Sequence, residues 1–174
     1  MHHRDYSHLP HLDLKEHYQF ITFRTKESLD PYMKKLYAST MPDRQKYYLI
    51  DKYLDTSDYG CLIDGNTASE IIAYYRQKSG DGFELVNVCA MPNHLHVLLK
   101  QQEPLSKIMQ ILKGGAAHIV NKNLVGSGAV WSRDYFDRAI RDERHFEITY
   151  AYIRNNPLKA RLDDSELRYY GIYG

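Results

Sequence analysis

The sequence has few cysteines, no long apolar run and almost no net charge. Its two cysteines, Cys61 and Cys89, form no CxxC pair, which favours two reduced thiols over a redox or metal-binding pair. No stretch approaches the roughly 18 apolar residues of a membrane-spanning helix, and the polar N-terminus lacks the layout of a secretory signal. These absences argue against a disulfide-rich secreted domain and a membrane protein. They predict a cytoplasmic protein with no membrane partner.

Charge is balanced over the whole chain but uneven along it. The 23 basic and 22 acidic residues give a net charge of +1, so the total points to no polyanionic partner. Residues 100–161, however, contain 11 Lys+Arg and 6 Asp+Glu. Such a region is compatible with a local phosphate-binding face, and equally with solvated helix surfaces. The 16 tyrosines are suited either to stacking on nucleic-acid bases or to lining the rim of a core.

The length and the pattern of apolar residues predict one α+β domain over residues 1–174. There is no internal repeat and no long linker. The order of elements predicts an antiparallel sheet with helices packed on it. The predicted elements are a strand at 18–25, a helical region at 31–54 broken near 41–42, a helix capped by Asn66 or Thr67 and stopped at 79–82, strands at 83–91 and 94–100, a helix at 105–121, an extended stretch at 130–140, and a helix within 143–161.

Two histidines stand one residue apart on a predicted strand. Alternate side chains of a strand share a face, so His94 and His96 can reach one ion while Leu95 points away. Because Pro92 and Asn93 form a turn just before them, we expect the pair at an accessible strand edge. The spacing is compatible with a metal site and also with a hydrogen-bonded histidine pair of no catalytic role.

A tyrosine and an asparagine lie four residues apart in the last predicted helix. Tyr152 and Asn156 therefore share a helix face. A phenol can be a nucleophile and an amide oxygen can be a metal ligand. The alternative is that Tyr152 belongs to the core and that the Asn155-Asn156-Pro157 segment is an ordinary helix end.

The sequence resembles the REP-associated tyrosine transposases, relatives of the single-tyrosine HUH transposases, in three segments. They are MPNHLHVLL at 91–99, WSRDYFDRAIRD at 131–142 and YIRNNPLKARL at 152–162. HLPH at 8–11 and the strand ending in ITFRT are similar to the family's N-terminal stretch as well. Where many relatives have Ala-Gly-Leu, this chain has Ala160-Arg161-Leu162.

The resemblance implies a fold, a set of site residues and a reaction. The fold is a ferredoxin-like sandwich. His94, His96 and Asn156 would bind a divalent metal, Mg²⁺ or Mn²⁺, and Tyr152 would be the nucleophile that cleaves single-stranded DNA and retains it as a 5′-phosphotyrosine. A free 3′ end could then reverse the step and join strands. The sequence does not indicate which group removes the phenol proton.

The implied partner is single-stranded DNA that carries a hairpin. Phosphate contacts are expected from basic residues in the positive region, and both a homodimer and a monomer are compatible with the sequence. The residues expected to make these contacts are Lys107, Lys113, Arg133, Arg138 and Arg141.

Three alternatives stay open at this point. A domain of this fold could bind DNA hairpins without cutting them, and a replication initiator or plasmid relaxase of the wider HUH class would share the chemistry. A zinc hydrolase built on the HxH pair would need a third ligand, for which His118 and His145 are the candidates.

Overall fold

The computed structural model describes residues 17–174, so the HLPH segment at 8–11 lies outside the described residues. Five strands and five α-helices follow one another, with 3₁₀ turns at Lys26–Ser28 and Ser165–Leu167. In chain order the elements are β1 (Tyr18–Arg24), α1 (Pro31–Ala38), α2 (Asp43–Leu54), α3 (Gly65–Lys78), β2 (Phe83–Ala90), β3 (His94–Gln101), α4 (Leu105–Leu124), β4 (Phe136–Ala139), α5 (Glu143–Lys159) and β5 (Tyr169–Gly171).

The strands form one antiparallel sheet in the order β4-β1-β3-β2-β5. The first four strands with α3 and α4 follow the β-α-β-β-α-β connection of ferredoxin-like folds, which confirms the predicted α+β class. The strand β5 was not predicted, because three residues are too few to show a period. None of the helices in residues 17–174 is both long and apolar enough to cross a membrane.

The two faces of the sheet carry different cores. The larger apolar cluster joins α3 and α4 to one face through the buried β3 residues Leu95, Val97 and Leu99. The smaller cluster joins α5 to the other face, where Leu98 contributes from β3. The helix α2, which packs on α1, reaches this second face as well. The strand β3 therefore divides an apolar side from a side on which its two histidines lie.

Local sequence signals explain where the helices begin. The side chain of Asp64 accepts a hydrogen bond from the Thr67 amide and caps α3, so the predicted cap at Asn66 or Thr67 was wrong by two or three residues. Asp142 caps α5 in the same way through the His145 amide. The predicted break near 41–42 is confirmed, since α1 and α2 are separate helices on either side of it.

The helix α5 continues past Pro157 and is followed by a left-handed residue. Arg161 has a φ of 55°, a conformation that glycine adopts most easily. This is the position at which the sequence has arginine in place of the glycine of many relatives. Arg161 therefore has a backbone conformation that glycine adopts more easily.

Candidate functional site

The two histidines are buried on the central strand of the sheet, not at an edge. His94 and His96 are both fully buried, and β3 pairs with β1 on one side and β2 on the other. The expectation of an accessible strand edge was wrong. The Pro92-Asn93 turn indicates only that β3 pairs with the preceding strand β2, and it gives no sign of the second partner, β1, which is distant in sequence. The prediction that the two imidazoles share a face is confirmed, since their ring centroids are 4.9 Å apart.

A neighbouring amide sets the orientation of His94. The Asn93 side-chain amide donates to the backbone carbonyls of Leu54 and Tyr59, so its oxygen must accept from Nδ1 of His94, 2.7 Å away. The imidazole then carries its proton on Nδ1 and presents a bare Nε2 lone pair when it is neutral. This is the tautomer of a histidine ready to bind a metal through Nε2.

Thr22 of β1 holds the second histidine. Its hydroxyl lies 2.7 Å from Nδ1 of His96, and a hydroxyl can accept, so the same tautomer is available here. Burial, together with the nearby His94, lowers the pKa of His96 well below its usual value. His96 is therefore neutral at physiological pH and its Nε2 is free to act as a ligand.

The predicted nucleophile lies beside this pair. The ring of Tyr152 on α5 is 5.3 Å from the His96 ring, measured between centroids, and both rings contact Phe20 of β1, at 6.1 Å and 5.5 Å respectively. A single chain thus brings the phenol to its own histidines. Asn156 follows one turn later on the same helix and is buried.

Two carboxylates also lie at the site: Asp51 in α2 and Asp55 directly after this helix. Neither was predicted from the sequence. The Tyr152 hydroxyl donates to Oδ2 of Asp51 over 3.0 Å, and Oδ1 of Asp55 lies 3.4 Å from Nε2 of His94. The spacing of four residues, which places Asp51 and Asp55 on one helix face, is the signal that could have found them. What it cannot show is that this face meets α5 and β3.

Burial dominates the electrostatics of the phenol and its partner. It raises the pKa of Tyr152 far above the usual value, and the charges of Asp51 and Asp55 raise it further. Burial also raises the pKa of Asp51 to about 6, against the opposing effects of His94 and of the hydrogen bond from Tyr152. The phenol is therefore fully protonated at neutral pH and cannot act as a preformed phenolate.

Four buried polar atoms of these candidate residues have no hydrogen-bond partner within residues 17–174. They are Nε2 of His94, Nε2 of His96, Oδ1 of Asn156 and Oδ1 of Asp55. A buried polar atom without a partner costs about 1–3 kcal/mol, and a bound ion is one explanation for several in one place. Two of the four, Nε2 of His94 and Oδ1 of Asp55, face each other at 3.4 Å.

The candidate third ligands of the zinc-hydrolase alternative do not join the histidine pair. In the described part of the chain, no three His, Cys, Asp or Glu side chains are grouped so as to hold a metal. His118 is exposed on α4, and His145 accepts from the Arg141 amide. Two imidazoles and an amide oxygen leave room for oxygen atoms of a substrate.

The basic residues expected to contact DNA occupy different places. Arg138 is exposed on β4, and it pairs across to Phe20 of β1 and so projects from the face of the sheet that carries His96. Arg133 and Arg141 are exposed nearby in the chain. Lys107 lies in the first turn of α4, on the opposite side of the sheet, and pairs with Glu103.

Lys113 is bonded inside the protein. Its ammonium group donates to the backbone carbonyls of Ser132, Arg133 and Asp134 at 2.9–3.3 Å. Burial lowers the pKa of Lys113 to about 8, although Asp134 opposes the shift. The lysine thus ties α4 to the 132–134 segment.

The sequence matches the family model described as transposase IS200 like over residues 61–156, more than half of the chain. The chain belongs to this family. The matched part of this IS200-like transposase contains both histidines, Tyr152 and Asn156.

One relative in sequence and two solved structures are similar to this chain. An uncharacterised protein of Haemophilus influenzae is 24% identical over 140 residues, which is 67% of this chain and 74% of that protein. The structure of the REP-associated tyrosine transposase bound to a REP hairpin is 17% identical, with a TM-score of 0.51, and the likeness covers 87% of this chain and 72% of that one. A Deinococcus radiodurans R1 structure described as a candidate transposase has 18% identity and a TM-score of 0.45, with 84% and 93% coverage.

Proposed function

We propose that this IS200-like transposase cleaves and rejoins single-stranded DNA beside hairpins, through a covalent 5′-phosphotyrosine at Tyr152. The observation that carries the proposal is the placement of this phenol, 5.3 Å in ring-centroid distance from His96, next to buried nitrogen and oxygen atoms without partners. A purely structural tyrosine has no need of such atoms around it. The solved REP-associated transposase bound to a REP hairpin suggests the kind of DNA.

We propose that His94, His96 and Asn156 hold a divalent metal, Mg²⁺ or Mn²⁺. When bound, such an ion would neutralise charge on the scissile phosphate and on the leaving 3′ oxygen. The chain's own residues orient the reactants: Asn93 and Thr22 fix the two imidazoles, and Phe20 packs against both His96 and Tyr152. This preorganisation would hold the phenol for in-line attack on phosphorus.

The tyrosine oxygen would form the new bond to phosphorus as the bond from phosphorus to the 3′ oxygen breaks. The products are a 5′-phosphotyrosine and a free 3′ end. The energy of the phosphodiester stays in the covalent link, so a second 3′ hydroxyl can attack it and join two strands without ATP.

We propose phosphate contacts from Arg133, Arg138 and Arg141, which are exposed. Residues 1–174 would act as one catalytic domain.

The test is the formation of a covalent protein–DNA product. A labelled DNA hairpin with single-stranded flanks, taken from repeats near the gene, is incubated with the protein and Mn²⁺ and analysed under denaturing conditions. The wild type should give an SDS-resistant adduct and Tyr152→Phe none, while Tyr48→Phe, at an exposed tyrosine, should match the wild type. Hairpin binding by the wild type without any adduct would instead identify a binding module and overturn the proposal.

A further inference from the structure

We propose that Asp51 is the catalytic residue that takes the proton of Tyr152 during cleavage and returns it during strand joining. This inference rests on the proposed function and adds to it the group that the sequence left unassigned. It names the proton acceptor for a phenol that must lose its proton as it attacks.

The geometry is that of a general base and its proton. Asp51 lies in α2 and Tyr152 in α5, 101 residues apart in sequence. The phenol donates directly to Oδ2 of Asp51 over 3.0 Å, within the roughly 2.6–3.2 Å at which a general base acts. The carboxylate therefore touches the reacting atom itself, with no intervening residue.

The phenol needs such a partner. Tyr152 is partly buried, and its hydroxyl donates to the carboxylate of Asp51. A phenolate formed in advance would meet the negative charge of Asp51 at hydrogen-bond distance. If the proton instead moves to Asp51 during the attack, the carboxylate becomes neutral as negative charge passes to the phosphate. The same charge that prevents early ionisation thus drives the proton transfer.

Several charged and titratable groups face Asp51 or share its cavity. They are His94 of β3, Asp55 after α2, Tyr152 of α5, Arg24 of β1, Tyr37 of α1, Tyr47 of α2, and Asp134 and Tyr135 before β4. A carboxylate in hydrogen-bond contact with the phenol can accept its proton in cleavage and release a proton in joining.

A small cavity lies beside the carboxylate of Asp51. Asp51 lines a cavity of about 30 Å³ whose wall includes the polar side chains of Thr22, Ser132 and Asp134. A polar cavity needs roughly 10–15 Å³ to hold one water molecule. Water in this cavity would let Asp51 exchange its proton with solvent after cleavage and before joining.

The bonds and protons balance in each direction. In cleavage, the Oη–H bond of Tyr152 breaks and the proton passes to Oδ2 of Asp51. The Oη–P bond forms, the P–O3′ bond breaks, and the 3′ oxygen takes a proton from water. In joining, a 3′ hydroxyl loses its proton to water and attacks phosphorus, the Oη–P bond breaks, and Asp51 returns a proton to Oη.

The test compares Asp51→Asn with the wild type. The amide has the shape of the carboxylate and can still accept from the phenol, but it is a very weak base. We expect adduct formation to slow about 100-fold or more, the usual contribution of a general base, with hairpin affinity and Mn²⁺ affinity unchanged. Asp58→Asn, which removes an exposed carboxylate just beyond α2, is the matched control and should react at the wild-type rate.

A fluorinated tyrosine at position 152 separates proton removal from simple positioning. Its phenol is more acidic and needs less help from a base, so it should restore much of the lost rate in Asp51→Asn and have a smaller effect in the wild type. Equal acceleration of both proteins would mean that Asp51 only positions the ring, and would overturn the inference. Asp51→Glu, which keeps a carboxylate, should react faster than Asp51→Asn.

The outcomes distinguish this inference from the proposed function. If the wild type forms no adduct, the proposed function fails and the inference fails with it. If the wild type forms the adduct and Asp51→Asn forms it equally fast, Tyr152 is the nucleophile but Asp51 is not its base. A loss of Mn²⁺ affinity in Asp51→Asn would also reject the inference, because it would make Asp51 part of the metal site.

Discussion

The two faces of strand β3 differ in composition. Toward α3 and α4 the strand presents Leu95, Val97 and Leu99, all fully buried in the larger apolar cluster. Toward α5 it presents Leu98 together with the two histidines. Nε2 of His96 has no hydrogen-bond partner among the described residues, and Nε2 of His94 faces Oδ1 of Asp55 at 3.4 Å. Each buried aliphatic side chain stabilises the fold by about 1.5–3 kcal/mol, whereas each unpartnered buried polar atom costs about 1–3 kcal/mol. One face therefore stabilises the fold and the other is kept at a cost.

The difference between the two faces of β3 explains why polar atoms of the site can lack hydrogen-bond partners without unfolding the protein. The larger apolar cluster joins the sheet to α3 and α4, so the second face can carry polar groups beside its smaller apolar cluster. The helices α2 and α5 then cover that face and each contributes a reacting group, Asp51 and Tyr152. Stability and chemistry are thus divided between two sides of one strand, and substitutions on the two sides should have different consequences.

The largest effect is expected from His96→Leu on the site face. Leucine has a similar volume and removes the unpartnered Nε2, but it also leaves the Thr22 hydroxyl without its imidazole partner, so the free energy of unfolding should fall by no more than about 1–3 kcal/mol. Adduct formation should fall at least about 100-fold, because the loss of metal assistance amounts to several kcal/mol. Denaturant unfolding and adduct kinetics on the same preparation check both parts. An active variant would show that His96 has no role in the reaction.

Leu99→Ala on the other face should show the reverse. Leu99 is fully buried, and truncation of such a residue costs about 2–5 kcal/mol in the free energy of unfolding. The rate of adduct formation per folded molecule should stay within about a factor of two of the wild type. Lys100→Ala, at the partly exposed next position, is the control. A fall in the rate as large as that in His96→Leu would show that the two faces are not independent.

Much of the fold could be predicted because its signals are local. Alternation identified β2 and β3 and placed His94 and His96 on one face, and apolar periodicity identified α3 and α4. The status of β3 as a central strand could not be predicted from its own sequence. It depends on pairing with β1, in which Thr22 lies opposite His96, and no local pattern records a pairing over 74 residues.

The residues of the candidate site that belong to short sequence motifs could be predicted. Those that reach the site only because two helices pack together could not. Resemblance supplied Tyr152 and Asn156, and the structure places Tyr152 beside His96. Asp51 and Asp55 were missed because carboxylates four residues apart in a helix are common on solvated surfaces. Their role depends on α2 packing over the second face. The same limit applies to Lys113, because the sequence does not show that its ammonium group donates to three backbone carbonyls.

The smallest expected effects concern DNA affinity and extend the comparison to the surface. Arg138 projects from the site face, so Arg138→Ala should lower the slope of log binding constant against log salt by about 1, the value expected for one lost phosphate contact. Lys107→Ala, on the helix of the opposite face, should leave the slope unchanged. Lys113→Met should also leave it unchanged while lowering stability, since its ammonium bonds to the protein's own carbonyls. Equal slopes for Arg138→Ala and the wild type would mean that DNA does not approach over β4, and a reduced slope for Lys107→Ala would place DNA on the apolar side instead.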